Sequence, residues 1–521
     1  MTGSTGHGGM DVRPELIETT IAELGRRLAA GEVTSVELVK GYRERIAALD
    51  HAGPTLRSVV ELSDISLETA AERDRERGAG EIRGALHGIP VLVKDNIATI
   101  DGMETTAGSL ALVGARPAKA AGVVDRLEAA GAIVLGKTNL SEWANFRSTT
   151  SSSGWSGRGG QTVNPYALDR SPSGSSSGSG VAIAASLAAV ALGTETNGSI
   201  ICPAAVNGLV GIKPTVGLTS RAGVIPISMT QDSVGPMART VADAAAVLAV
   251  IAGTDPDDEA TSGADGHVVD YLAALDPDGL VGARIGVVRQ LYMGYSPVAD
   301  RATEAAIEVM RAAGAEIVDP ANIPNAAELA GGWPGRNQDT LTILLHEFRD
   351  GLNAWLAGLG DAAPVQTIED LVAWNTANAD REMPFFGQEL IAMAAATSGM
   401  TDPEYVAARE RAYFLARAEG IDAVMDEHRL DALVMPTMGP AVKIDLINGE
   451  QHRGAASTPS AVAGYPVITV PSGSAFGMPI GLSFTGRAWS EATLIRLAYG
   501  FEQATKARFA PQYRAGLVIP N

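Results

Sequence analysis

The stretch that decides both fold and chemistry is Ser-Pro-Ser-Gly-Ser-Ser-Ser-Gly-Ser at 171–179, followed by Gly-Thr-Glu-Thr-Asn-Gly-Ser-Ile at 193–200. It concentrates hydroxyl groups on backbone that glycine makes flexible. Far upstream, Lys94 ends a separate apolar run, Pro-Val-Leu-Val-Lys. A serine becomes a nucleophile when a base removes its proton, and a neutral lysine can be that base. The pattern therefore indicates acyl transfer through a serine, without histidine.

Three other interpretations of these motifs fail on context. A flexible linker does not fit the serine stretch, because the apolar run 181–192 follows it directly. Residues 174–178 match the nucleophile elbow Gly-x-Ser-x-Gly centred on Ser176, but a proline-containing loop precedes them where the elbow needs a strand. Residues 131–138 match the P-loop, but Ala-Ile-Val-Leu fills the positions that should wrap phosphate.

Composition limits the partners and the compartment. The 521 residues include 40 basic and 60 acidic side chains, and the net charge of -20 repels nucleic-acid phosphates. Cys202 is the only cysteine, so neither an internal disulfide nor a cysteine-built metal site is expected. No apolar run reaches the about 20 residues of a membrane span, and residues 1–12 resemble a flexible leader. We expect a cytoplasmic protein, monomeric or homodimeric, with no nucleic-acid or membrane partner.

Hydrophobic periodicity predicts an α/β fold. Strands are predicted over residues 89–93, 133–135, 208–213, 432–435, 467–470 and 480–484. Helices are predicted over residues 15–31, 34–49 (with a capping box of Thr34 and Glu37), 122–130, 181–192, 241–251 and 491–507. Over about 325–420, the helical patterning around Trp333, Trp355 and Trp374 indicates a mainly helical region laid on the α/β body.

The chemistry of Lys94 depends on its surroundings. A lysine acts as a base only where burial or a neighbouring positive charge lowers its pKa. Lys94 follows an apolar run and is therefore placed for burial, and an intervening serine such as Ser175 can pass a proton on from Ser199. The residues alone leave a structural salt bridge open as the other role of Lys94.

Four ordered motifs together resemble the amidase signature family. They are Leu-His-Gly-Ile-Pro-Val-Leu-Val-Lys-Asp-Asn at 86–96, the two serine motifs, and Gly-Ile-Lys-Pro-Thr-Val-Gly-Leu-Thr-Ser-Arg at 211–221, with Asp232-Ser-Val-Gly-Pro-Met-Ala-Arg close behind. The resemblance is densest over about 85–250. It implies one domain over 1–521, built on a large mixed, twisted central β-sheet covered by helices on both faces.

The resemblance also implies a Ser-Ser-Lys triad that needs no metal or cofactor. Lys94 would be the base, Ser175 the relay serine preceded by a cis peptide bond, and Ser199 the nucleophile. The implied oxyanion hole consists of the backbone amides of Thr196, Asn197, Gly198 and Ser199. Many members carry Gly-Gly-Ser here, so the side chain of Asn197 is expected to narrow the pocket.

Substrate contacts are expected from hydroxyl groups near the site. Ser148, Thr149 and Ser151 are expected to line the acyl pocket, and residues 333–390 to line or cover it. Members that bind a carboxylate carry an arginine shortly after the nucleophile, whereas this chain has Ile-Ile-Cys at 200–202. A neutral acyl group is therefore the better fit.

Within the family, the motifs at 139–147, 154–162 and 202–208 resemble bacterial peptide amidases, which remove the C-terminal carboxamide of peptides. The predicted function is hydrolysis of a small-molecule or peptide amide, above all a peptide C-terminal amide, to the acid and ammonia through an acyl-enzyme. The alternatives are a broad aryl or acyl amidase on the same machinery, the glutaminase subunit of an amidotransferase, and a catalytically silent binding protein.

Overall fold

A mixed sheet of eleven strands organises the molecule, and a two-stranded ribbon of β4 and β5 stands apart from it. The structure is a computed structural model that describes residues 12–330, 338–360, 363–451 and 454–519. The predicted leader at about 1–12 therefore lies almost wholly outside the described residues. In chain order the strands are β1 (Val59–Leu62), β2 (Pro90–Lys94), β3 (Ile133–Thr138), β4 (Trp155–Ser156), β5 (Gly160–Gln161), β6 (Val190–Glu195), β7 (Val210–Lys213), β8 (Ser233–Ala238), β9 (Arg284–Val287), β10 (Glu316–Val318), β11 (Ala432–Pro436), β12 (Val467–Ala475) and β13 (Met478–Thr485).

The strand order in the large sheet is β1-β3-β2-β6-β8-β7-β12-β13-β11-β9-β10. Strands β3, β2 and β6 are parallel neighbours, as are β11, β9 and β10. The strands between these two groups pair antiparallel. The predicted large mixed sheet is thus confirmed.

Helices pack against this sheet and also form a region of their own. They are α1 (Ile21–Ala29), α2 (Ser35–Arg45), α3 (Ser66–Gly78), α4 (Gly122–Ala129), α5 (Ser177–Ala184), α6 (Ile201–Val206), α7 (Val241–Ile251), α8 (Pro297–Ala312), α9 (Ala326–Leu329), α10 (Gln338–Leu359), α11 (Ile368–Ala377), α12 (Ala379–Glu382), α13 (Glu389–Ala395), α14 (Pro403–Ala416), α15 (Asp422–His428), α16 (Thr458–Ala463) and α17 (Glu491–Thr505). In the described part of 319–431 no strand occurs. Of the three tryptophans that pointed to this region, Trp333 lies outside the described residues.

The capping box predicted at the start of α2 is confirmed. The Thr34 hydroxyl accepts a hydrogen bond from the Glu37 amide at 3.1 Å, and the Glu37 carboxylate accepts one from the Thr34 amide at 2.8 Å. These two bonds satisfy amides that the first turn of a helix leaves without partners. The preceding helix starts later than predicted, at Ile21, where Thr20 caps it.

The predicted helix over 181–192 is wrong in its second half. Helix α5 ends at Ala184, the chain turns through Ser186 at φ 54°, and the remaining apolar residues form strand β6. A run of Ala, Val and Leu has no periodicity that separates a buried helix from a strand buried on both faces. Its place in the sheet between β2 and β8 decides the outcome.

The helical region packs on loops of the α/β body through a separate apolar cluster. In it, Phe348 of α10 makes edge-on ring contacts with Trp143 and Phe146. Ile225 and Ile227 join the same cluster from a loop before β8. Within the described residues, no helix combines the length and the apolar character needed to cross a membrane.

Candidate active site

Two parallel strands bring the lysine and the second serine motif to one edge of the sheet. Lys94 is the last residue of β2, and β6 ends at Glu195 just before residues 196–199. Their register pairs Val93 with Leu192. Because parallel neighbours end on the same side of a sheet, Lys94 lies beside the start of the loop that carries Ser199.

Lys94 is fully buried and bonded to neutral oxygens. Its Nζ donates to Ser175 Oγ at 2.7 Å, to Thr194 Oγ1 at 2.8 Å and to the Thr194 carbonyl at 3.2 Å. No described carboxylate forms an ion pair with it, so the structural salt bridge left open by the sequence is not present. Burial lowers the pKa of Lys94 to about 7, against the opposing attraction of the Asp232 and Glu195 carboxylates.

Ser175 is the serine of the cluster that contacts this lysine. A cis peptide bond joins it to Gly174, as the resemblance implied. A Cβ at Gly174 would lie 2.2 Å from Ser141 Oγ, so any larger residue there would displace the Ser141 side chain. The neighbouring Ser176 instead donates to the Thr194 carbonyl at 3.1 Å and accepts from the Thr194 amide at 3.2 Å.

Ser199 lies on the wall of a cavity of about 260 Å³. The chain reaches it through Gly198 at φ 84°, a conformation that favours glycine. The Ser199 carbonyl accepts from the Ser176 amide at 3.1 Å, which ties the two serine motifs together. Its hydroxyl forms no hydrogen bond with another described residue, so the structure joins Lys94 to Ser175 directly and leaves the Ser199 hydroxyl free at the cavity wall.

The backbone amides of the 196–199 turn differ in what they bond. The Gly198 amide donates to Glu195 Oε1 at 2.8 Å. Of the four predicted oxyanion donors, this amide is thus the one that already has an acceptor among the described residues. The amides of Thr196, Asn197 and Ser199 donate to no other described residue. The other carboxylate oxygen of Glu195 accepts from the amides of Ile200 and Ile201 at 2.8 and 3.0 Å.

Glu195 is a site residue that the sequence interpretation missed, although it stands inside the second serine motif. Its position at the end of a strand, four residues before a serine, was the available signal. Glu195 is buried, with 1% of its surface exposed, and its carboxylate binds backbone amides on both sides of Ser199. Charge-assisted hydrogen bonds of this kind are strong and fix backbone geometry.

Asn197 fastens the same turn to the start of α16. Its Oδ1 accepts from Ser457 Oγ at 2.5 Å, and its Nδ2 donates to Thr458 Oγ1 at 3.3 Å. All three residues line the cavity. The Asn197 side chain therefore forms part of the cavity wall and is held in place there.

The cavity around Ser199 carries no charged side chain among its described lining residues. It is lined by Ala144, Asn145, Phe146, Ser153, Ser173, Gly174, Thr196, Asn197, Gly198, Ser199, Cys202, Ile227, Leu344, Met438, Gly454, Ala455, Ser457 and Thr458. Burial raises the pKa of the Cys202 thiol, which keeps it protonated. Of the described part of 333–390, only Leu344 reaches this wall.

The predicted substrate contacts of Ser148, Thr149 and Ser151 are not found on that wall. Ser148 and Thr149 donate their hydroxyls to Glu389 Oε1 at 2.8 Å each, and Ser151 donates to the Ser148 carbonyl at 2.9 Å. The Glu389 carboxylate of the helical region thus accepts the hydrogen bonds of the Ser148 and Thr149 hydroxyls. Ser153, two residues further on, does line the cavity.

Loops around the site are ordered by further polar groups. Asp232 accepts from Thr196 Oγ1 at 2.5 Å, and Asn96 Nδ2 donates to Thr194 Oγ1 at 3.0 Å. Arg221 pairs with Asp258 at 2.6 Å. The described residues contain no group of three His, Cys, Asp or Glu side chains placed to hold a metal ion.

Comparison with known proteins gives matches over nearly the whole chain. The family described as Amidase matches residues 37–495. The native peptide amidase from Stenotrophomonas maltophilia is 53% identical with a TM-score of 0.90, and the match covers 95% of this chain and 99% of that one. A probable amidase from Arabidopsis thaliana is 43% identical over 96% of this chain and 92% of its own length. A glutamyl-tRNA(Gln) amidotransferase subunit from Chloroflexus aurantiacus is 36% identical over 94% of this chain and 98% of its own length.

Proposed function

The chain belongs to the amidase family and is an amidohydrolase that acts on amides, and we propose that it hydrolyses the C-terminal carboxamide of peptides through an acyl-enzyme on Ser199. The observation that carries this proposal is the 2.7 Å hydrogen bond between buried Lys94 and Ser175, beside the cavity that Ser199 lines. This bond supports the proposal because it gives Lys94 a hydroxyl partner, Ser175, whose neighbour Gly174 lines the same cavity as Ser199.

The first half of the reaction uses Lys94 in its neutral form. Ser199 gives its proton to Ser175 Oγ as its own oxygen attacks the amide carbonyl, while Ser175 passes its proton to Lys94 Nζ. A lysine with a pKa of about 7 is neutral in a large fraction of molecules near neutral pH. Collapse of the tetrahedral intermediate breaks the C–N bond, and the Lys94 proton returns through Ser175 to the departing ammonia.

The oxyanion of that intermediate is assigned to the amides of Thr196, Asn197 and Ser199. They are the amides of the turn that keep an unused donor, since Glu195 engages that of Gly198. Each donor aimed at a developing oxyanion typically contributes about 10²–10³ in rate. Water then attacks the acyl-enzyme, passes its proton along the same relay, and releases the acid as the Ser199 hydroxyl is restored.

Two observations support a peptide amide as the substrate. The peptide amidase from Stenotrophomonas maltophilia is similar over nearly the whole chain. Among the residues that the structure describes, the cavity lining offers no cation to a free carboxylate, and burying an unpaired carboxylate is costly. A peptide whose C-terminus is an uncharged carboxamide meets that condition, whereas free glutamine, with its α-carboxylate, does not.

Ammonia release from a panel of four compound classes tests the proposal. The panel holds dipeptide amides, simple aliphatic amides, anilides (followed by aniline release) and free glutamine, each with the parent enzyme and with Ser199→Ala. We expect the highest kcat/KM on the dipeptide amides and no turnover by Ser199→Ala. Faster cleavage of anilides would establish an aryl amidase instead, and preference for glutamine a glutaminase. Absence of turnover across the panel, with no labelling of Ser199 by a fluorophosphonate, would leave a silent binding protein.

A further inference from the structure

Glu347 is a fully buried carboxylate in the helical region, far in sequence from the serine motifs. It lies on α10, one helical turn after Leu344, whose side chain reaches the cavity. One oxygen, Oε1, accepts from the Tyr405 hydroxyl of α14 at 2.7 Å. The other oxygen faces away from the helices and toward a loop of the α/β body.

That loop comprises residues 227–232, just before β8. Oε2 of Glu347 accepts from the Ser228 hydroxyl, from the Thr230 amide at 3.2 Å and from the Thr230 hydroxyl at 3.0 Å. A single carboxylate oxygen thus receives three donors from two loop residues. A carboxylate accepts hydrogen bonds through both of its oxygens, whereas an amide has one accepting oxygen and one donating NH₂ group.

Asp232 joins the start of the 227–232 loop to the turn beside Ser199 by hydrogen bonds. Asp232 Oδ2 accepts from the amides of Ile227 and Ser228 at 2.8 and 2.9 Å. Its other oxygen accepts from Thr196 Oγ1 at 2.5 Å. The hydrogen bonds therefore run without a gap from Glu347 through Ser228 and Asp232 to Thr196, whose amide is one of the assigned oxyanion donors.

We propose that Glu347 is a positioning residue for amide hydrolysis. It holds the 227–232 loop in place, so that Asp232 fixes the position of the Thr196 amide and Ile227 forms its part of the cavity wall. The proposal rests on the proposed function, because it takes the Thr196 amide as a donor to the oxyanion. It gives the helical region a role in the chemical step, although this region supplies none of the reacting groups.

The expected effect falls on kcat more than on KM. An oxyanion donor acts in the transition state, so displacing it slows the chemical step without weakening ground-state binding equally. Losing such a donor outright costs about 10²–10³ in rate, and we expect the displaced donor in Glu347→Ala to cost about tenfold in kcat, with KM changed by less than about threefold. Glu347→Gln keeps one acceptor oxygen for the loop and should recover part of that loss.

Asp350 provides a matched control on the same helix. It lies one turn after Glu347 and accepts from the Met400 amide at 2.7 Å, so it ties α10 to another helical-region loop and not to 227–232. Asp350→Ala should lower Tm while leaving kcat and KM within about twofold of the parent. Ser228→Ala, which leaves Glu347 bonded to Thr230 and Tyr405, is a second variant in case Glu347→Ala does not fold. It should lower kcat about threefold.

Labelling of Ser199 by a fluorophosphonate separates this proposal from the proposed function. The probe reacts with an activated serine whatever amide the enzyme cleaves, so its rate should fall in Glu347→Ala and partly recover in Glu347→Gln even if peptide amides prove not to be the substrate. The positioning role is contradicted if Glu347→Ala and Ser228→Ala label Ser199 at the parental rate, or if kcat falls equally in Asp350→Ala.

Discussion

Lys94 and Lys137 occupy closely similar places in the sheet. Lys94 ends β2, and Lys137 lies near the end of the parallel neighbour β3, where it pairs with Val93. Both side chains are fully buried. Burial lowers the pKa of Lys94 to about 7 and that of Lys137 to about 8. By burial and by pKa alone, either one is a candidate base.

Their hydrogen-bond partners separate them. Lys137 Nζ donates to the Ile97 carbonyl at 2.5 Å and to the Thr105 hydroxyl at 3.0 Å, and neither residue lines the cavity of Ser199. Lys94 donates to Ser175, which is joined by its peptide bond to Gly174 on the cavity wall. A lowered pKa lets a lysine accept a proton, but it acts as a base only where hydroxyls connect it to the substrate, as we propose for Lys94. Residues 131–138, which match the P-loop motif at every position, thus contain a buried strand with a structural lysine.

The largest expected difference in kcat/KM is that between the variants Lys94→Met and Lys137→Met. We expect the first to lower kcat/KM by about 10²–10⁴-fold, the range for losing a positioned base. The second removes a donor from the buried Ile97 carbonyl and should cost about 1–3 kcal/mol of unfolding free energy, with kcat/KM within about tenfold of the parent. Steady-state ammonia release and denaturant unfolding of both variants measure the contrast, and similar losses of activity in the two would abolish it.

The next effect concerns the two adjacent serines. Ser175→Ala interrupts the proposed relay and should lower kcat by about 10²–10³-fold. Ser176→Ala removes a hydroxyl that bonds only the backbone of Thr194, and we expect a loss below about tenfold. Single-turnover rates on a dipeptide amide compare them. A reversed order would move the relay to Ser176 and return the nucleophile-elbow interpretation to consideration.

The smallest effect is a pH dependence that belongs to one lysine and not the other. Burial lowers the pKa of Lys94 to about 7, so the neutral base predominates above that pH and is lost as the pH falls. The kcat/KM of the parent should therefore decrease about tenfold per unit below pH about 7. Lys137→Met should show the same profile. A profile that is flat through this range, or one that Lys137→Met shifts, would contradict the assignment.

The sequence predicted the residues whose role depends on their own short segment. Lys94 follows an apolar strand, so its burial could be predicted, and motif register distinguished Ser175 from Ser176. Strand β6 was missed because its Ala, Val and Leu residues suit either a helix or a strand. The sheet, which no local window contains, decides between them.

Contacts between distant segments could not be predicted in this way. The hydroxyls of Ser148 and Thr149 lie in a polar loop typical of a binding surface, but both donate to Glu389, about 240 positions away in the sequence. Glu347 reaches Ser228 across a separation of 119 residues. Engagement of the Gly198 amide by Glu195 is local, yet it depends on a turn geometry that the residue letters do not specify.

The rate at which a fluorophosphonate labels Ser199, followed by intact mass in the parent, Lys94→Met and Lys137→Met, tests most directly whether Lys94 activates that serine. Labelling reports activation of the nucleophile and does not depend on the substrate. We expect Lys94→Met to label at least about 10²-fold more slowly than the parent, and Lys137→Met within about threefold of it. Equal labelling of Ser199 in the parent and Lys94→Met would contradict the assignment of Lys94 as the base.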